Sequence, residues 1–132
     1  MSLPKRNRIT AIDIGTNSFH LIIVEVRENG KLKLLDRKRG FLRLGSEPSE
    51  DLSFISDNEK AKAISVLKKF STLSQYHKAT CRAVSTSAVR EAKNMNEFIE
   101  SVFDQTGVKV ETIEGNEEAN LIFLGMKNAL PI

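Results

Sequence analysis

Only Thr16, Asn17 and Ser18 lie between Gly15, which ends the apolar, β-rich run Ile9 to Ile14, and Phe19, which opens a second such run, Phe19 to Val26. A crossover between parallel strands needs a dozen residues or more, so a link this short forces an antiparallel hairpin. Asn29-Gly30 follows, a pair suited to the positive φ angles of a tight hairpin turn. Lys31 to Arg39 then alternates in part between apolar and basic residues, as a half-exposed strand does. The first third of the chain therefore reads as a three-stranded meander.

The pattern then changes period. Phe41 to Phe54 shows none, and Gly45, Ser46, Pro48 and Ser49 mark a loop. Ser56 with Glu59 forms a capping box, and Ile64, Leu67, Phe70 and Leu73 recur at helical spacing up to about Tyr76. Ala79 to Val84 reads as a fourth strand, followed by a short helix through Arg90 and Glu91. Asn94 with Glu97 opens another helix, with Phe98, Ile99, Val102 and Phe103 on one face and Gly107 at the C-terminal cap position. Val108 to Ile113 reads as a fifth strand, and a last helix starts near Asn116. The predicted order is β-β-β-α-β-α-α-β-α, an α/β fold with a mixed five-stranded sheet and helices packed on it. Tyr76 and the phenylalanines read as core.

Composition sets limits on function. The 132 residues carry 20 Lys plus Arg against 17 Asp plus Glu, a net charge of +3, too small an excess to argue for nucleic acid. Lys31, Lys33, Arg37, Lys38, Arg39 and Arg43 cluster in one stretch. They fit either a solvated strand face or an anion contact. Cys81 is the one cysteine, which excludes an internal disulfide, and its apolar surroundings read as core. No apolar stretch is long enough to span a bilayer, and no signal-peptide core follows the basic start. The expected location is cytoplasmic, with no membrane and no nucleic-acid partner.

Three segments carry chemistry. In Ala11 to Ser18, a strand delivers Asp13 to the sheet rim, and a Gly15-led turn offers backbone N–H groups beside the Thr16 and Ser18 hydroxyls. Clustered amides make an anion-binding nest, and a carboxylate beside them suits Mg²⁺. In Ser85 to Ala92, three hydroxyl residues end a strand, and Arg90 follows one helical turn later. Its fork matches phosphate oxygens. In Glu114 to Ala119, a strand ends, Gly115 turns the chain and acidic residues open a helix, one of them able to serve as a general base. Each has a plainer reading: a simple hairpin, an exposed helical arginine, and carboxylates favoured by the helix dipole. His20 and His77 lack metal-ligand spacing.

Taken in order, these segments resemble the exopolyphosphatase/guanosine pentaphosphate phosphatase family. The likeness rests on AIDIGTNS (Ala11 to Ser18), Arg43-Leu44-Gly45, STSAVREAKN (Ser85 to Asn94) and EGNEEANLIFLG (Glu114 to Gly125). It runs from Ile9 to Gly125. It implies the ribonuclease H-like half of the actin-like ATPase fold, with residues 1–7 a tail, 8–128 the N-terminal lobe and 129–132 the start of a link. It further implies that Gly15, Thr16, Asn17 and Ser18 form the first phosphate loop and that Arg43 joins them. Asp13 would lie at Mg²⁺ or another divalent cation, Arg90 would clamp the terminal phosphoryl group, and Glu118 would be the catalytic base. The implied substrates are inorganic polyphosphate or guanosine pentaphosphate, and the implied partners are a second lobe and, at full length, a homodimeric mate. The family's second glycine-rich loop does not occur before Ile132, so this chain alone is expected to fold but to show little activity. Two alternatives stand beside this reading: a sugar- or acetate-kinase half-domain, and a non-catalytic polyphosphate or nucleotide sensor.

Overall fold

A computed structural model describes residues 7–15, 18–28, 30–41, 55–85 and 94–112. Five strands and two helices lie among them. The strands are β1 (Asn7–Ile14), β2 (Ser18–Val26), β3 (Leu32–Phe41), β4 (Thr80–Ser85) and β5 (Val110–Thr112). The helices are α1 (Asp57–Tyr76) and α2 (Met95–Thr106). The strands make one sheet in the order β3-β2-β1-β4-β5. β1, β2 and β3 are the antiparallel meander, and β4 and β5 run parallel to β1. The short helix through Arg90 and the helix from Asn116 fall outside the described residues, as do the expected link and nearly all of the tail.

Alternation along the strands sorts side chains between two faces. Ile12, Ile14, Phe19, Leu21, Ile23, Ala83 and Val110 join Ala63, Leu67 and Phe70 of α1 and Phe98 and Val102 of α2 in the main core. Both helices therefore pack on one face. A smaller cluster of Ala11, Ile22 and Val24 occupies the other face. The end of β3 shows how tightly α1 sits: a Cβ on Gly40 would come within 2.8 Å of Val66 Cγ1. Glycine at this position lets the helix approach the edge strand.

The helix ends follow the sequence signals in part. Ser56 Oγ accepts the Glu59 N–H at 3.0 Å, and Glu59 Oε1 accepts the Ser56 N–H at 3.2 Å, completing the capping box. Gly107 closes α2 with φ 76°, and its N–H donates to the Phe103 carbonyl at 2.8 Å. Asn94 departs from expectation and makes no side-chain cap. Its Oδ1 instead accepts the Ile55 N–H at 3.0 Å, and its Nδ2 donates to the Ile55 carbonyl at 2.9 Å. It ties the segment entering α1 to the segment entering α2.

Four expected core residues are exposed. Tyr76 and Phe103 lie off the buried stripes of their helices, which run through Ala63, Leu67, Phe70 and Ser74 on α1 and through Phe98, Val102 and Thr106 on α2. Phe41 ends the edge strand, where the Arg39 guanidinium lies 5.3 Å from its ring centroid. Cys81 is exposed because β5 pairs with β4 only from Ala83 onward, leaving the first half of β4 as an open edge. Its sulfur nonetheless sits among enough neighbours that burial raises its thiol above the ordinary value, and a hydrogen bond with Ser74 offsets this in part.

The basic stretch lies on edge strand β3, where Lys33, Arg37, Lys38 and Arg39 are exposed. Charged side chains there deter edge-to-edge pairing with another sheet, so the plain reading accounts for most of that cluster. Among the described residues, no helix is long and apolar enough to cross a membrane.

Candidate phosphate site at the strand ends

Ile14 of β1 stands beside Ser85 of β4, and Ser85 stands beside Thr112 of β5. The three parallel strands thus stop at one register line. In α/β sheets, ligands bind in the crevice outside such carboxyl ends. In sequence, Ala11 to Ser18 crosses this line, Ser85 to Ala92 starts on it, and Glu114 follows Thr112 by two residues. Adjacent strands are about 4.8 Å apart, so the three exit points fall within roughly 10 Å of one another. Thr16, Asn17, Arg43, Arg90 and Glu118 lie beyond the described residues. Arg90 follows Ser85 by five residues and Glu118 follows Thr112 by six.

The described part of the site is the neck of the β1–β2 hairpin. The Gly15 N–H donates to the Ser18 carbonyl at 3.1 Å, directly after the last pair, Ile14 with Phe19. A Cβ on Gly15 would stand 3.0 Å from that oxygen, so the neck closes tightly only with glycine there. Asp13 precedes the neck by one pair. It lies on the sheet face opposite α1 and α2, in a row with Val84 of β4 and His20 of β2. Asp13 Oδ1 is enclosed, out of contact with solvent.

Ser85, on the helix-covered face, is fully buried, and its Oγ has no hydrogen-bond partner among the described residues. A buried hydroxyl without a partner costs about 1–3 kcal/mol.

Among the described residues, no three His, Cys, Asp or Glu side chains are grouped to cage a metal. Mg²⁺ needs no such cage: it commonly takes one or two carboxylates and completes its shell with water and phosphate oxygens. The Asp13 carboxylate at the rim fits a cation that arrives with a phosphate chain.

Sequence spacing missed His20. Its Nε2 lies 2.8 Å from Ser18 Oγ. The signal was present in the strand period. Residues 18 and 20 share a face, and the hairpin register sets His20 opposite Asp13.

The sequence profile of the Ppx/GppA phosphatase family matches residues 22–131. Exopolyphosphatase 1 of Mycobacterium tuberculosis is 29% identical over 121 residues, covering 91% of this chain and 35% of the relative. A bifunctional 3-dehydroquinate synthase/phosphatase of Fusobacterium nucleatum is 30% identical over 130 residues, 92% of this chain and 19% of that protein. The crystal structure of an exopolyphosphatase from Cytophaga hutchinsonii superposes with a TM-score of 0.81 at 33% identity, over 96% of this chain and 40% of that one. An Aquifex aeolicus Ppx/GppA family member gives 0.73 at 32% identity, over 82% of this chain and 36% of that one. The fold is the ribonuclease H-like half of an actin-like ATPase domain. The chain spans about a third of the length of the exopolyphosphatase 1 relatives it matches and about a fifth of the bifunctional one.

Proposed function

Because this chain belongs to the Ppx/GppA phosphatase family, we propose that it forms one wall of a phosphoanhydride-hydrolysing site that removes the terminal phosphate of inorganic polyphosphate or guanosine pentaphosphate. The observation that carries this reading is the shared register line of Ile14, Ser85 and Thr112, at or just after which the three motif-bearing segments fall in sequence. A second lobe closes the cleft, and at full length the protein pairs as a homodimer in the cytoplasm.

Each residue has a role suited to its chemistry. Backbone N–H groups from Gly15 to Ser18, with the Thr16 and Ser18 hydroxyls, hold non-reacting phosphate oxygens. Arg43 adds positive charge beside them. The Arg90 guanidinium clamps two oxygens of the terminal phosphoryl group. The Glu118 carboxylate takes a proton from a water whose oxygen attacks the terminal phosphorus. As that P–O bond forms, the anhydride P–O bond breaks, and its electron pair leaves with the shortened chain. Asp13 would hold Mg²⁺, which when bound would supply positive charge against that developing on the departing phosphate. Phosphoryl transfer depends mainly on positioning and electrostatics, so these side chains act on rate more than on folding.

The test is phosphate release from polyphosphate and from guanosine pentaphosphate by the protein joined to its second lobe, with no acceptor present. Glu118→Gln should cut turnover by at least about a hundredfold, the scale of a lost general base, while substrate still binds. Binding without any turnover by the wild type would favour the sensor. Turnover only with a sugar or acetate acceptor would favour the kinase.

A further inference from the structure

The nitrogen beside Ser18 belongs to a residue with no role in the mechanism above. Ser18 Oγ and His20 Nε2 are 2.8 Å apart, and both side chains are half-buried. Two apart on β2, they share the sheet face opposite α1 and α2. On that face His20 stands opposite Asp13 of β1 on one side and Arg39 of β3 on the other. His20 therefore stands in a cross-strand row one pair before the hairpin neck.

Resting on the phosphate-site reading, we infer that His20 is a positioning residue: its Nε2–H donates to Ser18 Oγ and turns the Ser18 hydroxyl proton outward, toward a bound phosphate oxygen. Phosphate oxygens in an ionised chain only accept hydrogen bonds. A serine hydroxyl carries one proton and two lone pairs. If His20 Nε2 were the acceptor, it would take that single proton, and Ser18 would present lone pairs to the anion. Useful contact thus requires the opposite polarity, with the proton on Nε2 and the chain running N–H to O–H to phosphate. Such a chain polarises along its length, and a hydroxyl already oriented loses less freedom when the anion arrives.

A merely local role is the competing account, since a hydrogen bond two residues apart also steadies a strand end. The two separate by titrating the protein joined to its second lobe, isotope-labelled in these 132 residues, with inorganic tripolyphosphate and Mg²⁺, following the amide signals of Gly15 and Ser18. His20→Phe should weaken binding roughly tenfold, the weight of one hydrogen bond to a charged group. His20→Gln should bind within about threefold of wild type, because its amide N–H reaches the place of Nε2. His20→Asn, with the same amide on a shorter stem, should behave like Phe. In a Ser18→Ala background, His20→Phe should change nothing further.

Wild-type affinity in His20→Phe would overturn the inference and leave the function standing. So would equal losses from His20→Phe with and without the Ser18 hydroxyl. If the Gly15 and Ser18 signals of the wild type do not respond to tripolyphosphate, the phosphate site itself falls, and the proposed function with it.

Discussion

Gly15 and Ser18 close the first hairpin back on itself: the Gly15 N–H meets the Ser18 carbonyl at 3.1 Å, and a Cβ on Gly15 would press within 3.0 Å of the same oxygen. Replacing glycine by alanine ordinarily stabilises by about 0.4–1 kcal/mol where the backbone allows it, by restricting the unfolded chain. Here crowding against a backbone oxygen opposes that gain, and overpacking costs about 1–3 kcal/mol. Gly15→Ala should therefore lower stability in urea denaturation and widen the loop that follows Ile14. Unchanged or increased stability would show that the neck has slack.

Asn94 stands at a helix start yet serves as a clamp. Removing its two hydrogen bonds to Ile55 in Asn94→Ala should cost about 1–3 kcal/mol, since the backbone groups of a buried residue lose their partners. Asn94→Asp separates the roles. Aspartate caps helices about as well as asparagine does, but it has no N–H for the Ile55 carbonyl. Denaturant midpoints should place Asn94→Asp nearer the alanine variant than the wild type. Full stability of the aspartate variant would restore the capping role.

Cys81 ties stability to alkaline pH. Burial raises its thiol above the ordinary 9.0, so the folded chain holds this proton more tightly than the unfolded chain does. The stabilisation is fully present below the unfolded thiol range and is lost as pH rises through the raised folded value. The fall in stability across that window should be shallower in Cys81→Ala. Thiol labelling of the folded protein should show its midpoint above 9.0; a midpoint at or below it would contradict this environment.

Much of the fold was legible because local rules met no competition. The three-residue link after Gly15 allowed only a hairpin, and Ser56 with Glu59 capped α1 as their spacing dictates. Other features depended on distant partners. Asn94 matched a cap signal, but its amide reaches Ile55, thirty-nine residues earlier. Cys81 sat in an apolar run whose first half lacks a neighbouring strand. Tyr76 and Phe103 were apolar in type but missed the buried stripe by a fraction of a turn. At the candidate site, Asp13, Gly15 and Ser18 were singled out from their order along the chain. His20 emerged only once the β1–β2 register was known. The assignments of Thr16, Asn17, Arg43, Arg90 and Glu118 rest on family resemblance and on where their strands end.

The central claim is spatial, and one distance set tests it: a crystal structure of the protein joined to its second lobe, with a non-hydrolysable polyphosphate analogue and Mg²⁺ bound. The account predicts that the Asp13 carboxylate, the Arg90 guanidinium and the Glu118 carboxylate surround the terminal phosphoryl group just outside Ile14, Ser85 and Thr112. Finding Glu118 across the sheet from Thr16, with the analogue bound elsewhere, would contradict it.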